Sequence, residues 1–174
     1  RGNLELGTGA NIKISAATLN VGNLSATKTG KITLGGGVLN VAQGLNIANA
    51  GSTKDSNENV SNIDISEGGV INFNGGNLAF GGELKTTANK ATTLDVNQNA
   101  NVSFEDLNLA TSGVLSLDGG VVNVGKLATA AADNLSLTKG TLNFMQTEAD
   151  NKANKTTDST IADLTLADDS TAVL

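Results

Sequence analysis

The residues of this sequence that could support acid–base chemistry are carboxylates and lysines, because the chain contains no histidine and no cysteine. Without histidine the commonest general base and most transition-metal sites are excluded, and without cysteine so are thiol nucleophiles. Carboxylate chemistry on polysaccharides remains possible. The polar residues expected to face outwards are Glu5, Lys13, Asp64, Asp95 and Glu105-Asp106.

These groups fall on different strand classes or in distant turns, so no pair of carboxylates is expected to converge on one substrate. The aromatic side chains that usually stack on sugar rings are also scarce, since the chain has no Trp, no Tyr and four Phe. All four Phe occupy positions expected to point inwards. We therefore predict no catalytic residue and no enzymatic activity.

A second candidate is a calcium loop at Asp55–Val60, which reads DSNENV. It matches the first acidic and amide positions of an EF-hand loop. Its sixth position is Val60 instead of glycine, and its twelfth is Ser66 instead of glutamate. The nonapeptide calcium repeat is missing as well, because the double glycines lead into apolar residues. We predict no metal ligand and no cofactor.

The remaining candidate is a set of asparagines, each in the middle of an apolar-x-apolar triplet. If the apolar neighbours point inwards, the middle residues should form one outward column, consisting of Asn20, Asn40, Ala79, Asn123 and Asn143. Such amides could hydrogen-bond along the stack or to a like face on another molecule, which makes the four asparagines candidate partner-binding residues. The alternative is that asparagine only keeps an exposed strand soluble.

Two polar stretches, residues 48–62 and 145–160, interrupt the pattern and are expected to be long loop insertions. Long loops on a regular scaffold are either functional or merely tolerated. If the first one binds a partner, its candidate residues are Lys54, Asp55, Asn57 and Glu58.

The elements that position these residues are revealed by the spacing of the triplets. Triplets begin 8, 7 and then 5 residues apart, which gives a period of 20, as from Leu4 to Leu24 and from Leu107 to Leu127. Alternating triplets predict short strands, and the double glycines of recurring words such as GGVVNVG (119–125) predict tight turns. Three short strands per 20-residue turn predict an all-β parallel β-helix (β-solenoid) of about seven turns. An antiparallel barrel or sandwich is the competing arrangement, but the common period of all three strand classes favours the solenoid.

The composition favours a stack of repeated layers rather than a compact globular core. Apolar residues make up 39% of the 174 residues and aromatic residues 2%, with 21 Gly and no Pro. The net charge is −6 and the basic residues are scattered, so we expect no nucleic-acid partner. No apolar run is long enough for a membrane span, so direct membrane insertion is not expected. We predict one solenoid domain over 1–174, a fragment of a longer protein.

The repeats ATLNVGNLSA, GGVLNVAQGLNIANAG and GGVVNVGKLAT resemble passenger domains of Gram-negative autotransporters, especially the self-associating adhesins. They are also similar to two-partner secreted filamentous adhesins, and the resemblance covers residues 4–144. It implies a right-handed parallel β-helix displayed outside the outer membrane, at the cell surface. It also implies adhesion, aggregation or biofilm formation through like molecules on neighbouring cells, or through a host or matrix ligand such as a glycan. A passive spacer and a polysaccharide lyase or glycoside hydrolase are the alternative functions.

Overall fold

The computed structural model describes residues 2–26, 30–47, 63–145 and 159–173. Most of these residues are in β-strands, and the helix among them is a short 3-10 helix at Ala132–Asn134. The strands are β1 (Leu4–Leu6), β2 (Asn11–Ser15), β3 (Thr18–Ala26), β4 (Lys31–Gly35), β5 (Val38–Ile47), β6 (Ile63–Asp64), β7 (Gly69–Phe73), β8 (Gly76–Lys85), β9 (Thr92–Asn97), β10 (Ala100–Leu109), β11 (Gly113–Thr129), β12 (Leu135–Phe144) and β13 (Leu166–Val173).

The strands wind as a β-solenoid in which each strand pairs in parallel with the equivalent strand of the next turn. Leu4 lies opposite Leu24 and Leu107 lies opposite Leu127, as the 20-residue period predicts. The parallel register confirms the solenoid and rules out the antiparallel barrel or sandwich. The described strands form about six turns, slightly fewer than the seven predicted. The hand of the coil stays a prediction.

Each turn of the coil crosses three faces in a fixed order. The first face is built on the paired inward residues Leu4, Leu24, Leu45, Leu78, Val102, Val122, Leu142 and Ala172. The second face is built on the paired residues Ile12, Ile32 and Ile63 of a separate three-stranded sheet in the earlier turns, and on the paired residues Leu84, Leu107 and Leu127 in the later turns. The third face is built on Leu19, Leu39, Ile71, Leu94, Leu115 and Leu135.

The core is the inside of this coil, where the two apolar residues of each triplet stack on those of the neighbouring turns. Ile32, Leu39, Ile71 and Leu107 are fully buried, while the residue between each apolar pair faces outwards. This arrangement follows from the two-residue side-chain period of a strand. Because no single turn can bury its own inward side, the stacking of turns provides the stability.

The order of the step lengths changes along the chain, which the repeat did not reveal. From the first to the second face the chain takes eight residues at Leu4 to Ile12 but five residues at Val102 to Leu107. Both orders return to the same face after 20 residues. The sequence repeat therefore fixes the length of a turn but not the face on which a given triplet lies.

The paired glycines of GGVVNVG form a crowded corner between the third and first faces. Gly119 has a φ of +97°, which favours glycine, and a Cβ at Gly120 would lie 2.7 Å from the Asn97 carbonyl oxygen. Only glycine allows the backbones of successive turns to approach so closely here. Val122 and Val124 then fill the core and Asn123 points outwards. The interpretation of this word as a corner followed by a strand is confirmed.

Candidate functional site

The outward side of the third face carries an unbroken series of three asparagine amides, which we call the third-face ladder. Asn20, Asn40 and Asn72 lie opposite one another on β3, β5 and β7. The Asn40 Nδ2 donates to Asn20 Oδ1 at 2.7 Å, and the Asn72 Nδ2 donates to Asn40 Oδ1 at 2.6 Å. Parallel strands in register place identical side chains directly above each other, so each amide meets the next one in the correct orientation to bond.

The third-face ladder ends where the next turn places a carboxylate instead of an amide. Asp95 lies opposite Asn72, and Ser116 lies opposite Asp95. An ionised carboxylate only accepts hydrogen bonds, so Asp95 offers no donor to the Asn72 Oδ1. Instead the Asn97 side chain connects the two turns. Its Nδ2 donates to Asn74 Oδ1 at 3.1 Å and lies 3.5 Å from Asp95 Oδ2.

We expect Asp95→Asn to raise the stability of the solenoid by about 1 kcal/mol, because the new amide can donate to Asn72 and extend the ladder by one turn. Thermal unfolding measures the effect. Asp118→Asn is the matched control, since Asp118 is an exposed carboxylate of the same face that lies outside the ladder. Equal gains in the two variants would assign the effect to charge removal and contradict the ladder extension.

A second series of amides, the first-face ladder, runs along the outward side of the first face. The Asn143 Nδ2 donates to Asn123 Oδ1 at 2.9 Å, and the Asn123 Nδ2 donates to Asn101 Oδ1 at 2.8 Å. A longer contact of 3.4 Å continues from Asn101 to Asn77. The first-face ladder thus spans the later turns, whereas the third-face ladder spans the earlier ones.

The prediction that Asn20, Asn40, Asn123 and Asn143 share one column is therefore wrong. Asn123 and Asn143 are paired with each other on the first face, in the column that also contains Ala79. Asn20 and Asn40 belong to the third face. The reason is the change of step order along the chain, which moves the asparagine-bearing triplet from the third face to the first.

Three ladder members were missed by the sequence analysis. Asn72 was overlooked because the repeat places Ala79 in the column at this turn, whereas Asn72 lies in the preceding triplet, Ile71-Asn72-Phe73. Asn77 and Asn101 each precede a triplet, so they did not qualify as middle residues. Asn101 lies opposite Val121 in the backbone register, and its amide reaches Asn123 diagonally across the strand pair.

The second face carries two of the ion pairs found among the described residues. Lys31 Nζ lies 3.0 Å from Asp64 Oδ2 across β4 and β6, and Lys126 Nζ lies 3.3 Å from Asp106 Oδ2 across β11 and β10. The other oxygen of Asp106, Oδ1, is buried and has no hydrogen-bond partner among the described residues. This face therefore presents charge of both signs.

The two paired aspartates of the second face have opposite pKa shifts. Burial by itself would raise the pKa of Asp64, but hydrogen bonds from Ser66 and the charge and hydrogen bond of Lys31 together lower it. Burial raises the pKa of Asp106, and the neighbouring Glu83 and Glu105 carboxylates add to this rise although Lys126 opposes it. The fold thus favours the ionised form of Asp64 and disfavours that of Asp106.

We expect Asp64→Asn to destabilise the protein at neutral pH and Asp106→Asn to leave it unchanged or more stable. The contribution of Asp64 is present above its ordinary pKa and is lost as the pH falls through its lowered folded value. For Asp106 the contribution is greatest below its ordinary pKa and is lost as the pH rises through its raised folded value. Denaturant unfolding at neutral and acidic pH checks both. Loss of stability in both variants at neutral pH would contradict the opposite shifts.

The remaining predicted candidates are spread over the coil or lie outside the described residues. Lys54, Asp55, Asn57 and Glu58 belong to the stretch 48–62, none of which is described, and only residues 145, 159 and 160 of the second long stretch are described. The outward carboxylates occupy all three faces, with Glu5 on the first, Asp64 on the second and Asp95 on the third. Within the described ranges no group of His, Cys, Asp or Glu residues forms a site for a metal ion.

Comparisons of the chain with protein-family models, curated proteins and solved structures gave no match. In the described part of the chain, no helix has the length and apolar character needed to cross a membrane. The candidate functional site is therefore defined by the chain's own geometry. It consists of the two amide ladders on neighbouring faces of the solenoid.

Proposed function

We propose that this chain is a self-associating adhesive module, displayed outside the cell on the surface of a Gram-negative bacterium as part of an autotransporter-type passenger. The observation that carries the proposal is the presence of two outward amide ladders on a regular solenoid. The partner is a like molecule on a neighbouring cell. A host or matrix ligand such as a glycan is the alternative partner.

The ladder bonds orient each amide without using its full hydrogen-bonding capacity. A primary amide has two N–H donors and two acceptor lone pairs. In Asn40 and Asn123 the ladder uses one donor and one acceptor site, which leaves a second N–H and a second lone pair of each amide available. The amides are held in place before a partner arrives, so little side-chain entropy is lost on binding.

The spacing of the ladders also suits weak, repeated contacts. Equivalent residues of successive turns lie one strand separation apart, about 4.8 Å. A second molecule with the same repeat can match several amides at once, and many weak hydrogen bonds then add up to strong association. Among the described residues, the large exposed apolar side chains are Met145, Leu166 and Val173, all towards the C-terminal end. The contact would accordingly be polar.

The test is aggregation of beads that carry the purified full chain. One variant replaces Asn20, Asn40 and Asn72 with alanine, a second replaces Asn101, Asn123 and Asn143, and a third combines both sets. We expect each triple variant to weaken aggregation and the combined variant to abolish it, with unchanged far-UV circular dichroism. Added salt should not weaken aggregation of wild type, because hydrogen bonds between neutral amides are not screened.

The matched control replaces Asn46, an exposed asparagine in an earlier turn of the first face, outside the first-face ladder. Asn46→Ala should aggregate like wild type. If the combined ladder variant, folded by circular dichroism, also aggregates like wild type, the proposed function is wrong.

A passive spacer is the second candidate, and one observation favours it. The ladder bonds are made within the chain, so the asparagines already have a structural role in joining successive turns. A spacer predicts that wild type itself does not aggregate and that the ladder variants only lower the melting temperature. The same set of measurements thus separates the two functions.

A further inference from the structure

The dipeptide Asn74-Gly75 is the only Asn-Gly pair in the sequence. It lies outside the strands, between the end of β7 at Phe73 and the start of β8 at Gly76, at a corner between the third and first faces. The Asn74 side chain is exposed. Glycine at the following position leaves the backbone nitrogen free of the steric hindrance that a Cβ imposes on attack by this nitrogen.

The hydrogen bonds around this corner leave one backbone donor available. The Asn74 N–H donates to the Val41 carbonyl at 2.8 Å, and the Gly76 N–H donates to the Asn99 carbonyl at 3.1 Å. The Gly75 N–H between them has no acceptor among the described residues. Gly75 is buried, so base reaches this N–H only when the corner opens, but loss of its proton breaks no hydrogen bond of the fold.

The Asn74 amide is also activated by its neighbour. Asn97 Nδ2 donates to the Asn74 Oδ1 at 3.1 Å. When a nucleophile attacks Cγ, negative charge develops on this oxygen, and a donor already aimed at it stabilises the tetrahedral intermediate. Asn97 is thus placed to assist chemistry at Asn74.

From this geometry we propose that Asn74 is a site of spontaneous deamidation, with Asn97 as a positioning residue. The deprotonated Gly75 nitrogen attacks Asn74 Cγ, the Cγ–Nδ2 bond breaks, and the leaving nitrogen departs as ammonia after taking up a proton. The product is a five-membered succinimide. Water then opens the ring by breaking either of its two C–N bonds, which gives aspartate or isoaspartate at position 74.

The aspartate product fits the site, because its carboxylate can accept the same hydrogen bond from Asn97. It also adds a negative charge close to Asp95, which the Asn97 amide already approaches. Isoaspartate instead lengthens the main chain at the corner, where Gly76 pairs with Asn99. Deamidation therefore changes the charge of the third face and loosens one corner as the protein ages.

The experiment is incubation of the full folded chain in mildly alkaline buffer, followed by peptide mapping by mass spectrometry and an ammonia assay. We expect the peptide containing Asn74 to be converted first, with one ammonia released per modified chain. Asn74→Gln should remove this reaction, since the corresponding ring is larger and forms slowly. Conversion of other asparagines before Asn74 in the folded chain would overturn the proposal.

The role of Asn97 is tested by the folding dependence of the rate. In the folded protein Asn97→Ala should slow conversion of Asn74 by about two- to tenfold, the effect of one lost hydrogen bond. In urea the variant and wild type should react at the same rate, because the two residues are no longer held together. Equal rates in the folded proteins would remove Asn97 from the proposal.

Discussion

Asn134→Asp is expected to destabilise the solenoid by about 3–5 kcal/mol, because Asn134 is a fully buried amide that makes four hydrogen bonds. Its Oδ1 accepts from the Ala130 and Ala131 N–H groups at 2.8 and 2.7 Å. Its Nδ2 donates to the carbonyls of Ala110 at 2.8 Å and Gly113 at 2.5 Å, both in the preceding turn. A carboxylate would keep the two acceptor contacts but bring a buried negative oxygen against two carbonyl oxygens.

Denaturant unfolding of Asn134→Asp measures this loss, and Asp133→Asn is the matched control. Asp133 is the adjacent residue and is exposed, so its exchange should change the free energy of unfolding by about 0.5 kcal/mol or less. A cost at Asn134 no larger than that of the control would show that the corner rearranges around the new side chain.

The second large effect is expected at Phe73, the fully buried member of a cluster of three rings in the core. The Phe73 ring meets Phe80 edge-on at 5.7 Å and Phe104 edge-on at 6.4 Å, and the latter two stack at 5.1 Å. Phe73→Ala removes a ring that the surrounding turns cannot replace, since their backbones are fixed by the strand pairing. We expect a loss of about 3–5 kcal/mol in the free energy of unfolding.

Thermal and denaturant unfolding of Phe73→Ala check this value, with Phe144→Ala as the control. Phe144 occupies an inward position of the first face but is only partly buried, so the same change should cost clearly less there. Similar losses at both positions would mean that burial in the ring cluster does not set the cost. Phe73→Leu should recover much of the stability, because it leaves a smaller cavity.

The sequence was sufficient to predict the strands, their parallel stacking and the inward residues. Triplets such as Ile12-Lys13-Ile14 indicate which side chains point inwards, because side chains alternate along a strand. The face on which a triplet lies was not predictable from the repeat. Steps of 8, 7 and 5 residues close a turn in any cyclic order, and the order is decided by pairing between residues that are distant in sequence.

Because the repeat does not reveal the face on which a triplet lies, only some members of the amide ladders could be predicted. Asn20 and Asn40 were predicted as neighbours because no long insertion separates them. Asn72 is 32 residues beyond Asn40 and was hidden by the intervening stretch. Asn101 bonds to Asn123 across a diagonal, which depends on side-chain reach and not on spacing.

The amide bonds of both ladders run in one direction, and this gives the solenoid an electrical polarity along its axis. Asn40 donates to Asn20, Asn72 to Asn40, Asn123 to Asn101 and Asn143 to Asn123, always towards the N-terminal end. The amide dipoles are therefore aligned head to tail, as peptide dipoles are in a helix. Each bond polarises the next, so that a central amide is held more firmly than a terminal one. The N-terminal end of each ladder presents a partial positive charge and the opposite end a partial negative one.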